Sequence, residues 1–243
     1  MTWCERIKFA SSKLVIECFG TFIFCLLFIT GSQAVILVGL WILTTFCWKT
    51  SNAQLNPAVT LAYMLRLDSK RLSIPLGLLI MAAQVLGAYI GALYSAFIDW
   101  QVVAMEPVRN SLWFAAMMQE TIGTFVFVIF YMIVTDERLY FSKESIINCL
   151  IIASSYVAAR SIVEGSGFIS TFGACLNPAV AVGISLVSLL SDPGSTFAWF
   201  WIYYFMPLAG SIIAVVFFRL VYLKTQLMIE KDSEKEENLD DIK

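Results

Sequence analysis

The lengths of the apolar runs constrain this chain more than any other feature. Six runs are long enough to cross a bilayer core of about 30 Å, and two more are about half that length. The long runs lie at about Leu14–Thr30, Ala34–Trp48, Ile74–Ile98, Leu112–Val134, Ser145–Phe168 and Phe197–Leu223. The second is short for a span and must borrow residues at both ends. The half-length runs are Pro57–Leu67 and Pro178–Leu190. They read as re-entrant half-helices or as buried core segments, and both open on the same three residues, Asn-Pro-Ala.

Composition agrees with a bilayer solvent. Of 243 residues, 59% are apolar and 14% charged, against about 25% charged in an ordinary soluble domain. The net charge of −2 and the absence of a basic block give no reason to expect nucleic acid as a partner. Histidine is absent, which removes the commonest catalytic base and metal ligand. The six cysteines form no C-x-x-C pair and sit mostly inside apolar runs, so neither a metal, a cofactor nor a disulfide framework is expected. No constellation of residues suggests an enzyme.

Charge placement favours the re-entrant reading. With both termini on one side, that side holds Arg6, Lys8, Lys13, Lys49, Arg66, Lys70, Arg71, Arg138, Lys143 and Lys224, with Lys231, Lys235 and Lys243 of the tail, while the opposite loops hold Arg109 and little else. A full crossing by Pro57–Leu67 would scatter this asymmetry. The segment after Lys224 is acidic and lacks Gly and Pro; it reads as a solvated tail, frayed helix or disordered.

The chain also repeats itself. Glu17-Cys-Phe-Gly20-Thr21-Phe22 corresponds to Glu120-Thr-Ile-Gly123-Thr124-Phe125, and Leu55-Asn56-Pro57-Ala58-Val59 to Leu176-Asn177-Pro178-Ala179-Val180. Three spans per half is an odd number, so the halves have inverted topology, and the interrupted segments mark a site near the midplane. Proline suits the first helical position, and asparagine before it can cap the helix with its oxygen, leaving its NH₂ to donate. Two such helix starts face to face would present amide donors and positive dipole ends, favouring a neutral polar solute over cations and protons. One Asn-Pro-Ala alone would be an ordinary turn; two in corresponding positions are not. Glu17 and Glu120, each a carboxylate inside a span, are functional candidates by default. The favoured role is structural: each accepts hydrogen bonds from the non-helical backbone leading into a half-helix.

These motifs, with Ala83-Gln84-Val85-Leu86-Gly87-Ala88 and Pro207-Leu208-Ala209-Gly210, resemble the major intrinsic protein (aquaporin) family over about Lys13 to Leu223. The resemblance implies an all-α membrane fold: an hourglass of six transmembrane helices and two re-entrant half-helices. It also implies cytosolic termini, a homotetramer with one pore per subunit, and passive conduction of water or small neutral solutes such as glycerol, urea, ammonia or peroxide. It divides the chain into an N-terminal segment 1–13, a channel domain 14–223 (repeats at about 14–98 and 112–223) and a tail 224–243. The pore midplane would be formed by Asn56, Pro57, Ala58, Asn177, Pro178 and Ala179.

One departure stands out. Family members usually carry arginine three residues after the second asparagine, in an outer filter of aromatic residues and arginine. Here that position is Val180, and the other filter positions fall by spacing at Val38, Gly165 and Ala174. Such a filter is apolar, suited to less polar or larger solutes, or closed by dewetting. Arg160 and Glu164, spaced i,i+4 in the fifth span, form an expected intramembrane ion pair. Helical phase turns Arg160 away from Ser161 and Gly165, the positions expected to face the pore. The alternatives are a non-conducting structural subunit of a larger membrane assembly and, less favoured, an ion or proton carrier.

Overall fold

The structure is a computed structural model and describes residues 3–66, 72–99, 104–164 and 169–240. Its helices are α1 (Trp3–Thr30), α2 (Gln33–Ser51), α3 (Pro57–Leu65), α4 (Ile74–Asp99), α5 (Trp113–Val134), α6 (Ser145–Glu164), α7 (Pro178–Ser188), α8 (Pro193–Phe217) and α9 (Leu223–Asp240). Among the described residues there is no strand, only a bridge between Pro107 and Ser170.

Among the described residues, six helices are long and apolar enough to cross a membrane. The second gains its length at both ends: Ser32 caps its start, and Asn52 ends it in a left-handed conformation at φ 60°. The half-length segments are α3, of 9 residues, and α7, of 11, about 14 and 17 Å long. The tail continues as helix rather than fraying. A π-helical turn over Phe218–Tyr222 joins α8 to α9, so one rod runs from Pro193 to Asp240.

The packing shows the internal repeat. In the first half α1 packs on α4 and α2; in the second α5 packs on α8 and α6. Each short helix also reaches across to the other half, α3 against α8 and α7 against α4, while α2 and α6 close the middle. The core therefore lies between the halves and centres on the two half-helix entries. On one face of the bundle the loops before α5 and α7 are joined, Val108 N–H donating to Ile169 O at 2.8 Å and Thr171 N–H to Glu106 O at 2.9 Å.

Candidate functional site

Each half-helix begins as its sequence dictates. Asn56 is extended, its Oδ1 accepts from Ala58 N–H at 2.8 Å, and Pro57 takes the first helical position. Asn177 does the same for α7, with Oδ1 accepting from Ala179 N–H at 3.0 Å. Both caps satisfy a backbone donor that helix geometry would leave unpaired.

The amide NH₂ groups are not left entirely to a passing solute. Asn56 Nδ2 donates to Leu176 O at 2.8 Å, and Asn177 Nδ2 donates to Leu55 O at 2.8 Å. The two N-termini thus abut, each tied to the residue that precedes the other's asparagine. One amide hydrogen of each pair is committed to this bond, and the second is the donor that remains for a ligand.

Those preceding residues are strained. Leu55 and Leu176 hold left-handed backbone angles of φ 50° and 56°, which cost a non-glycine residue about 1 kcal/mol each. A buried carboxylate holds each one by its N–H. Glu17 accepts from Gln54 N–H at 2.9 Å and Leu55 N–H at 2.7 Å; Glu120 accepts from Cys175 N–H and Leu176 N–H, both at 2.7 Å. Charge-assisted bonds of this kind are roughly twice as strong as neutral ones. Gly20 and Gly123, one turn on from each glutamate, lie against the side chains of Leu55 and Leu176, where a Cβ would collide.

The halves differ around this shared scaffold. Glu17 also accepts from Gln84 Nε2 at 2.7 Å, and Gln84 is hydrogen-bonded to Thr60. By the repeat, the place of Gln84 is taken by Pro207, which has no donor. The second half uses α6 instead. Tyr156 Oη donates to Cys175 O at 2.7 Å, Arg160 Nη2 donates to Phe172 O at 2.9 Å, and Glu164 Oε1 accepts from Ala174 N–H at 2.9 Å.

Arg160 and Glu164 form their ion pair at 3.4 Å. Arg160 is 4% exposed, lies over the Phe28 ring at 4.7 Å from its centroid, and has no hydrogen-bond partner for Nε and Nη1. The buried face of α6 is not the one that carries Ser161. Ser161 is exposed, and the buried stripe of α6 runs Ile152–Tyr156–Arg160. Ile152 and Tyr156 line a small cavity beside Asn56.

Of the four filter positions, Ala174 and Val180 are fully buried. Gly165 lies outside the described residues. Val38 is a further correction: it is 51% exposed and shares a stripe of α2 with Val35, Ile42 and Phe46, which are also exposed. The buried stripe holds Ile36, Leu40 and Thr44, two of which line the cavity. Ile36, two residues from Val38 and only about 3 Å away along the axis, lies on a face turned by about 200°.

Aromatic residues that spacing did not single out dominate the cavity. Phe24, Phe127, Tyr131 and Tyr156 line it with Leu40 and Asn56, leaving about 10 Å³ for the centre of a water, room for about one molecule. The rings meet edge to face: Phe24 with Tyr156 at 5.2 Å, Phe127 with Tyr156 at 5.4 Å and Phe127 with Tyr131 at 6.1 Å. Tyr131 Oη donates to Asn52 O, and beyond it Asn52, Tyr63 and Thr135 line a polar cavity of about 330 Å³. A signal for this cluster existed in the repeat, since Phe24 and Phe127 each fall seven residues after the intramembrane glutamate.

The family model of the major intrinsic proteins matches residues 28–218. The chain belongs to the major intrinsic protein family. It is 28% identical to aquaporin-6 of Rattus norvegicus over 179 residues, covering 72% of this chain but only 58% of that protein. It is 26% identical to aquaporin C of Dictyostelium discoideum over 255 residues, covering 93% and 86%. The X-ray structure of the aquaglyceroporin from Plasmodium falciparum superposes with a TM-score of 0.71 at 21% identity, covering 90% of this chain and 99% of that one. This major intrinsic protein is therefore an integral membrane protein with the aquaporin-like fold expected from its spans.

Proposed function

We propose that the chain is a passive channel for small uncharged solutes, water included, whose path runs past Asn56 and Asn177. The face carrying the termini is cytosolic, and the working unit is a homotetramer. The observation that carries this reading is the pair of abutting, asparagine-capped helix N-termini, tied to each other at 2.8 Å on both sides. Two positive helix ends at one point disfavour cations and protons, while the remaining amide hydrogens suit a neutral oxygen acceptor.

In the outer half, the cation is supplied by Arg160 rather than by the Val180 position. Support comes from its place on the stripe of α6 that lines the cavity and from its two unpartnered nitrogens. Light scattering by proteoliposomes tests the channel reading. Water, glycerol, urea or peroxide should enter faster than into protein-free vesicles, and Thr44→Trp, which fills the cavity, should abolish the difference.

A second reading, a non-conducting structural subunit, is favoured by the aromatic packing that leaves about 10 Å³ at the cavity. The two separate on Phe24→Ala. A closed channel gains permeability when this ring is removed, whereas a structural subunit stays impermeable and co-purifies with other membrane proteins.

A further inference from the structure

Gln54, two residues before Asn56, lines the midplane cavity together with Asn56, Thr44, Tyr131 and Tyr156. It is only 4% exposed, and its Oε1 has no hydrogen-bond partner among the described residues. Leaving a buried acceptor unpaired is costly. The side chain is not free to turn away. Gln54 N–H donates to Glu17 Oε1 at 2.9 Å, and its Nε2 donates to Ser51 O at 3.3 Å. Reversing the amide would set two oxygens against each other.

The groups around the cavity cannot supply the missing hydrogen. Each hydroxyl on its lining donates to a backbone carbonyl: Thr44 Oγ1 to Leu40 O at 2.8 Å, Tyr156 Oη to Cys175 O at 2.7 Å, and Tyr131 Oη to Asn52 O. A hydrogen for Gln54 Oε1 must therefore come from a molecule within the cavity. Asn56, on the same cavity, gives one amide hydrogen to Leu176 O and keeps the other. The cavity thus offers one acceptor and one donor between aromatic walls, with about 10 Å³ for the centre of a water.

We propose that Gln54 is a specificity-determining residue: its Oε1 accepts an N–H or O–H of the solute, while Asn56 Nδ2 donates to a lone pair of the same molecule. The class that fits has a single non-hydrogen atom and donates and accepts at once, which is water or ammonia. A molecule without a polar hydrogen leaves Gln54 Oε1 desolvated and unpaired, and is rejected even where it is small enough to enter. Because the amide oxygen is uncharged, it makes this demand without the attraction for cations that a carboxylate would add. The assignment rests on the channel reading for the route of entry, but not for the bound molecule itself.

The experiment has a structural and a kinetic arm. A map of the full chain, at a resolution that shows ordered water, should hold one peak about 2.8 Å from Gln54 Oε1. Gln54→Met keeps the length of the side chain and removes both amide atoms, and it should lose that peak. Should this variant fail to fold, the map of the natural chain still decides. In proteoliposomes, stopped-flow light scattering reads water and an internal pH dye reads ammonia. Gln54→Met should lower the flux by about tenfold, and the arm that falls names the solute. No peak beside Gln54 Oε1, a peak that survives in Gln54→Met, or unchanged flux in both arms would each overturn the assignment. A natural chain impermeable to both probes would overturn the channel reading instead, with the bound molecule still decided by the map.

Discussion

Asn56 and Asn177 hold each other's approach loops: the amide of each donates to the carbonyl of the leucine preceding the other, at 2.8 Å in both directions. Neither half-helix entry is therefore set by its own half alone. Each asparagine serves as a local cap through its oxygen and as a brace between the halves through its nitrogen.

That double duty predicts coupling. Asn56→Ala and Asn177→Ala should each destabilise the chain by about 2–3 kcal/mol, from a lost cap and a lost buried hydrogen bond. The double variant should lose less than their sum by at least about 0.5 kcal/mol. Unfolding of the four proteins in detergent measures this, and additivity would mean that the turns act independently.

The glutamates should behave alike despite their different neighbours. Glu120→Gln replaces a carboxylate accepting two backbone N–H groups with an amide, one end of which is itself a donor. It should destabilise by about 3 kcal/mol. Glu17→Gln should cost a similar amount, whereas Gln84→Leu, which removes only the third donor to Glu17, should cost about 1–2 kcal/mol. A loss of conduction with no change in melting temperature would instead point to a proton relay.

Arg160 is stacked, buried and bonded to Phe172 O, so its charge and its shape can be separated. Arg160→Lys keeps the charge but loses the planar stack and the fork of donors. Arg160→Gln loses the charge and leaves Glu164 as an uncompensated anion. If Arg160 is the outer cation, the Gln variant should admit protons or monovalent cations, seen as a current in planar bilayers, and the Lys variant should remain electrically silent.

Asp136, in the loop after α5, titrates outside the spans. Burial pushes its carboxyl up, but hydrogen bonds and charge from Arg138, with Arg66 behind them, outweigh this and hold it below the ordinary value. A depressed folded value means stabilisation that is fully present above the ordinary range near pH 4 and lost as pH falls through the lower folded value. The natural chain should thus outlast Asp136→Asn by a constant margin between about pH 5 and 7. That margin should shrink only below about pH 4, which melting curves across the range will show.

Much of the fold was legible because bilayer physics leaves few options. Run length separated spans from half-helices, and the charge asymmetry showed that Pro57–Leu67 re-enters; α3 ends at Leu65 and α7 at Ser188, each two residues before the end of its run. The Asn-Pro-Ala caps were legible because proline and asparagine admit few roles there. The outer half was not. Val38 was placed by spacing alone, and counting carries no information about which face of α2 turns inward. Arg160 was phased against Ser161, yet Tyr156 and Ile152, four and eight residues earlier, carried the correct stripe. The left-handed leucines had no signal at all, since leucine adopts that backbone only under the tertiary restraint of Glu17 and Glu120.

The π-helical turn at Phe218–Tyr222 acts on the C-terminal rod as a phase shifter. It contains one residue more than an α-helical turn would need, and each α-helical residue accounts for about 100° of rotation. Were the same residues wound as uninterrupted α-helix instead, everything from Leu223 onward would be re-aimed about the axis by roughly that angle. Composition, length and charge would be untouched, yet Lys224 would point to a different quarter of the membrane surface. What the tail meets is in this sense encoded by the pitch of a single turn rather than by the tail itself.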